Sequence, residues 1–278
     1  MSRIITVFLC ACCLMSVGSK IAAQDLFEDA NLERVVREQV FEKRDNDEPL
    51  TVEDVEKISS VKGAGAGIRS LKGLEHCRSL ALLDLHDNEI EDVSPIAELT
   101  RLQSLNLANN KIADVAPLKG LEKLQLLILS HNQITDVDAL TNMPNMRTFD
   151  VSHNQIKSLD VVTTMPKIWT LNFDQNQVAD LGPLKELRFL STLAAKDNGI
   201  KDLSPLKDLK QLTLVLLQDN QLSDLSTLVE MATADSENDR RFSPFWRLFL
   251  KGNPLSDEAK KEQIPKLEEL GAKVNLTE

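Results

Sequence analysis

Residues 80–96 read LALLDLHDNEIEDVSPI, and twenty-two residues later 102–118 read LQSLNLANNKIADVAPL. The apolar positions coincide: Leu80, Leu83, Leu85, Ile90, Val93 and Ile96 answer to Leu102, Leu105, Leu107, Ile112, Val115 and Leu118. One column is asparagine without a slip, at Asn88, Asn110, Asn132, Asn154, Asn176, Asn198 and Asn220. A fixed period in the twenties means that one small unit is stacked on copies of itself, because no single copy can bury its own apolar face. The Leu-x-Leu run of each unit alternates with period two, which is a strand. Parallel strands stacked at about 4.8 Å build one continuous sheet. The Val93-Ser94-Pro95-Ile96 type of segment then turns back on the far side as a 3₁₀ turn or coil, since so short a unit leaves no room for a long helix. The expected fold is an α/β repeat solenoid with a parallel sheet on its concave face.

The asparagine column has a mechanical reading. A backbone turning inside a thin core leaves amides and carbonyls facing inward, and each needs a partner. Asn carries donors and an acceptor on a short stem. The seven residues, with Asn253 as the next equivalent, are expected to form a structural ladder rather than a reactive site.

Outward from the repeats, residues 1–23 are expected to be a signal peptide: Arg3, an apolar run from Ile4 to Val17, and the small residues Ala22 and Ala23 before Gln24. The run is too short to span a bilayer, which takes about 20 residues, and no transmembrane segment is expected elsewhere. The expected location is secreted or periplasmic. Free export is preferred to lipid attachment at Leu9-Cys10-Ala11-Cys12, where the middle cysteine is unusual. Cys10, Cys12 and Cys13 leave with this segment, and Cys77 shares a column with Leu99, Leu121 and Met143, so it reads as a buried hydrophobe. Residues 24–57 are expected to form a helical N-terminal cap. Leu32, Val35, Val36 and Val40 share one face, Asp29 or Asn31 caps the first helix and Thr51 a second. About nine tiers follow over 58–255, the first degenerate, with Gly63 and Ala66 where leucine and asparagine belong. The period breaks near 229–244, and the charged run Asp235–Arg241 is expected to be a surface excursion. Residues 256–278 are expected to be a C-terminal cap, with Ser256 and Pro265 starting helices, Gly271 ending the second, and a last short strand near Val274.

The wording Leu-x-x-Leu-x-Leu-x-x-Asn-x-Ile-x-Asp-Val/Leu-x-Pro-Leu, clearest in Leu102–Leu118 and Leu212–Leu228, resembles the internalin-type bacterial leucine-rich repeats. Phe27-x-Asp29-x-x-Leu32 and Leu50-Thr51-x-x-Asp54 resemble the helical cap of that family. The resemblance implies a curved, right-handed horseshoe that binds other proteins through its concave sheet. Surface internalins also carry an immunoglobulin-like domain and an anchor after the repeats, and neither is expected here.

Acidic residues number 43 and basic residues 32, a net charge of −11; without residues 1–23, and so without Arg3 and Lys20, it is −13. Nucleic acid, which needs a positive footprint, is not an expected partner. His131 and His153 share a loop column on neighbouring tiers, but no third ligand converges with them, and no phosphate loop, nucleophile elbow or zinc motif is present. No enzyme, cofactor or metal is expected. The outward strand positions instead give two apolar spots, Leu126 with Ile128, and Leu214 with Leu216 and Phe249, separated by Asp150, Asn172 and Asp174. Trp169 and Trp246 stand in one edge column with Arg147, and Trp and Arg are frequent interface anchors. The expectation is a monomer that binds a protein partner on the concave face. The alternative is a regulator or inhibitor of an extracytoplasmic enzyme.

Overall fold

Every Leu-x-Leu run starts at the centre of a three-residue strand, and all of these strands pair in one order. The computed structural model describes residues 26–238 and 243–277; the expected leader, 1–23, lies outside them. Ten parallel strands are present among the described residues. They are β1 (Ser60–Lys62), β2 (Leu82–Asp84), β3 (Ser104–Asn106), β4 (Leu126–Ile128), β5 (Thr148–Asp150), β6 (Thr170–Asn172), β7 (Thr192–Ala194), β8 (Leu214–Leu216), β9 (Arg247–Phe249) and β10 (Lys273–Asn275). They form a single sheet in sequence order, β1 to β10. The register is constant: Leu83 faces Leu105, Leu105 faces Leu127, and Leu127 faces Phe149. The expected horseshoe of stacked coils is the fold observed.

The core runs inside the coils. The central residue of each regular strand is buried, as is the residue just after each strand from Leu85 to Leu250. Phe149 and Phe173 take leucine positions there and are fully buried. Cys77 is equally buried, and burial pushes its thiol up to about 12, which leaves it unreactive.

On the convex side the chain turns through 3₁₀ segments such as Ser94–Ile96, Ala116–Gly120, Gly182–Glu186 and Ser204–Leu206. An aspartate sets up each of these turns. The Asp92 carboxylate accepts from the Ser94 amide at 2.8 Å, and Asp114, Asp180 and Asp202 do the same for the residue two ahead of them. The Asp column of the repeat is therefore a row of side-chain-closed turns.

The asparagines stitch neighbouring tiers together. Asn110 Nδ2 donates to Leu85 O and Leu107 O, both at 3.1 Å, while its Oδ1 accepts from Ile90 N at 3.0 Å. Asn88, Asn132, Asn154, Asn176 and Asn220 repeat the pattern, and Asn198 also reaches back one tier. Asn253 holds Leu222 N and Leu217 O across the longer spacing.

Among the described residues two helices precede β1, namely α1 (Ala30–Arg37) and α2 (Val52–Val55). Asp29 caps α1 by accepting from Asn31 N and Leu32 N, and its other oxygen accepts from Arg69 N and Ser70 N. Burial opposes ionisation of this carboxyl, but the four amides outweigh it and hold the group below the usual range. The degenerate first tier now has a cause. A Cβ on Gly63 would stand 2.8 Å from Val35 Cγ1, so α1 occupies the space that a leucine fills in later tiers.

The longer tier differs from the expected excursion. Helix α3 (Ser226–Glu237) takes up most of the inserted length, with Leu228, Met231, Ala232 and Asp235 buried. Asp235 thus belongs to a packed helix rather than to a surface loop; residues 239–242 lie outside the description. After the repeats Ser256 Oγ accepts from Ala259 N, a π-helical turn (Ala259–Gln263) runs into α4 (Ile264–Glu269), and Gly271 at φ 103° releases the chain into β10.

Candidate partner-binding surface

The first and third residues of each strand point away from the core onto the concave face. Leu126 and Ile128 are half-buried there, flanked by Ser104 and Asn106 on β3 and by Thr148 and Asp150 on β5. Leu214 and Leu216 lie beside Arg247 and Phe249 of β9, and Leu216 also neighbours Ala194. Both apolar spots therefore sit on the sheet, four strands apart.

Between them the polar residues are tied to one another. Asn172 Nδ2 donates to Asp150 Oδ2 at 3.1 Å, and Asp150 Oδ1 accepts from Ser152 N and Oγ at 3.0 and 2.7 Å. Asn172 Oδ1 accepts from Asp174 N, and Asp174 Oδ1 accepts from Lys196 N at 2.6 Å. Burial, helped by the nearby Asp150 charge, pushes the Asp174 carboxyl above its ordinary value, and the Lys196 amide only partly offsets this. The network holds these groups in fixed rotamers and leaves a defined polar strip between the apolar spots. A second polar group sits near the N-terminal end, where His86 Nδ1 lies 2.7 Å from Asp84 Oδ1 and 3.4 Å from Asn106 Nδ2. The Asp84 contact raises the His86 imidazole above its ordinary value.

His131 and His153 have a backbone cause. The residue before each ladder asparagine lies in the left-handed region, from Asp87 (φ 59°) through Asn109, His131 (55°), His153 (54°) and Gln175 to Asp219 (56°). Asp, Asn, His and Gly tolerate that region best, which explains the make-up of the column. The two rings lie nearly parallel, so their lone pairs do not converge on a shared ion. Among the described residues no group of three metal-binding side chains is found.

Of the two tryptophans, only Trp169 is at the surface. It is 59% exposed, whereas Trp246 is 0% exposed. Trp246 must therefore be withdrawn as an interface anchor. It shares Trp169's column, but α3 packs on the 3₁₀ turn Ser243–Phe245 immediately before it, and the indole lies in the core. Trp169 instead shares a cleft with Arg147, Lys167, Phe189 and Gln211. Phe189 was missed in the sequence, although a signal existed: in the regular tiers its column otherwise holds Ser79, Arg101, Lys123, Asn145, Lys167 and Gln211, all polar.

The family model for Leucine Rich repeats (2 copies) matches residues 78–120 and 122–164. Among solved structures, internalin C2 from Listeria monocytogenes is 33% identical with a TM-score of 0.71, over 74% of this chain and 91% of that one. An internalin of the same species, InlF, is 25% identical with a TM-score of 0.55, over 91% and 92%. A leucine-rich repeat protein of Leptospira interrogans, at 22% identity and a TM-score of 0.64, shares the fold over 75% of this chain and 57% of its own. No match is found among curated proteins.

Proposed function

The chain belongs to the internalin-type bacterial leucine-rich repeat proteins, and from that premise we propose that it captures a protein partner on its concave sheet, without bond making. Leucine-rich repeat proteins commonly mediate protein–protein contacts and are typically binding scaffolds rather than enzymes. One observation carries the reading: two half-exposed apolar spots, Leu126 with Ile128 and Leu214 with Leu216 and Phe249, flank a strip whose Asp150, Asn172 and Asp174 are locked in place. Apolar contact rimmed by fixed polar groups is the make-up of a recognition surface. The strip would set register while the spots supply most of the affinity.

The partner meets the chain outside the cytoplasm, with residues 1–23 as leader and residues 24–57 and 256–278 closing the two ends of a monomeric stack. The leader composition supports export, and no helix among the described residues is long and apolar enough to cross a membrane.

The test is affinity capture from the extracellular medium of the producing organism, with the parent chain and a variant carrying Leu126→Ser, Ile128→Ser, Leu214→Ser and Leu216→Ser. The parent should retain a partner that the variant loses, with the two melting alike. Equal capture by both would remove the concave face from the account.

A further inference from the structure

The edge from which the strands start carries a second surface. Trp169, one residue ahead of β6, is 59% exposed, and Phe189, three residues ahead of β7, is 61% exposed. They stand on consecutive tiers and line one cleft of about 370 Å³ with Arg147, Lys167 and Gln211. Among the described residues no acidic side chain lines it. Lys167 Nζ is steadied by Asn145 Oδ1 at 3.0 Å, and no ion pair with a described carboxylate engages Lys167 or Arg147. In a chain of net charge −11, this is a local pairing of two exposed aromatics with two unneutralised cations.

We propose that this cleft docks an acidic peptide segment of another protein. An aromatic or aliphatic side chain of the segment lies against Trp169 and Phe189, and a neighbouring Asp or Glu carboxylate is held by Arg147 and Lys167. The donor inventory selects the charge. Arg and Lys offer hydrogen-bond donors only, so the complement is an anion. A neutral sugar needs acceptors for its hydroxyls, and Gln211 alone supplies a side-chain carbonyl. A long polyanion or an anionic membrane meets the field of the whole acidic chain as it approaches. A short segment with one or two carboxylates meets chiefly the two local cations, since charges beyond about 8–10 Å are screened at physiological salt. The cleft is separate from the concave spots, so this inference and the proposed function stand or fall separately.

A random displayed peptide library should be selected against the full chain and against an Arg147→Glu, Phe189→Ser double variant. Both substituted residues are exposed, and Lys167→Glu alone provides a second, milder variant. The expected winners place Asp or Glu beside Phe, Trp or Leu. A synthesised winner should shift the emission of the exposed Trp169. Its affinity should fall about tenfold or more in either variant, as for loss of an interface anchor, and should weaken as salt rises from about 0.05 to about 0.5 M. It should survive the four serine substitutions on the concave face. The proposal is overturned if the variants select the same peptides as the parent, or if the winners are basic or uncharged. It is equally overturned if a sulfated oligosaccharide or an anionic phosphatidylserine vesicle shifts Trp169 emission where the selected peptide does not.

Discussion

His131 and His153, twenty-two residues apart in sequence, stack ring on ring with centroids 3.7 Å apart and planes 16° from parallel. Their left-handed backbones aim both side chains the same way, and the constant register does the rest. Burial first, and the facing His131 second, hold the His153 imidazole below its ordinary value of 6.5. Below pH 6.5 the unfolded chain then binds a proton that the folded chain resists, so this contribution to stability falls as pH drops through that value. His86 acts with the opposite sign: its raised imidazole contributes fully below 6.5 and less as pH rises. The informative quantity is therefore the difference between parent and His153→Gln in denaturant unfolding across pH. The two curves should run parallel above pH 6.5 and converge or cross below it.

Asn110 is the clearest test of the ladder, because it is buried and bonded on both sides. Asn110→Leu leaves the Leu85 and Leu107 carbonyls and the Ile90 amide without that partner. Leu85 O still accepts from Asn88 Nδ2 and Leu107 O from Asn132 Nδ2, so the Ile90 amide is the group left stranded, and the variant should lose about 1–3 kcal/mol in chemical denaturation. A loss below about 1 kcal/mol would mean that the neighbouring coils hold together without the side chain.

Two glycines with left-handed backbones separate strain from crowding. A Cβ on Gly65 (φ 63°) meets nothing within 4 Å, whereas one on Gly73 (φ 107°) stands 2.4 Å from Phe27 Cδ1 and 2.6 Å from the Leu26 carbonyl oxygen. Gly65→Ala should cost about 1 kcal/mol, from the backbone alone. Gly73→Ala should cost about 2–3 kcal/mol more, because Phe27 must leave its buried seat. Comparable melting shifts for the two variants would show that Phe27 gives way freely.

Asp54 closes the capping box of α2. Its Oδ2 accepts from Lys43 Nζ at 2.8 Å and from Thr51 Oγ1 and N, both at 2.7 Å. Lys43 first, then Thr51, lower its carboxyl to about 2. The associated stability is complete above the ordinary value of 3.8 and lost as pH falls toward 2. Asp54→Asn should flatten that limb of an acid titration, and Thr51→Ala should cost about 1 kcal/mol at neutral pH.

The repeat wording made the sheet legible because leucine at strand positions and asparagine at the inner turn leave few alternatives. Asp92 and its equivalents were visible as a column, but their role as turn closers needed the hydrogen bonds. Other features depend on what covers what. By sequence Gly63 reads as decay of the repeat, whereas in the structure Val35 fills its space. Trp246 looked like a twin of Trp169, and only the packing of α3 beside Ser243–Phe245 separates them. A column records which residues share a position along the coil; it is silent on whether a neighbouring element covers that position. Phe189 lies outside the strand-facing columns, and its cleft is assembled by residues that precede the strands.

The unvarying register, Ser60 to Leu82 to Ser104 and on to Lys273, has an evolutionary corollary. Each coil presents the same seam above and below, so a gene segment of twenty-two codons can be copied or dropped and the cut surfaces still mate. Length in such a lineage becomes a freely adjustable trait, and extra residues inside a coil are tolerated where the seam itself is kept, as the coil holding α3 keeps it between β8 and β9.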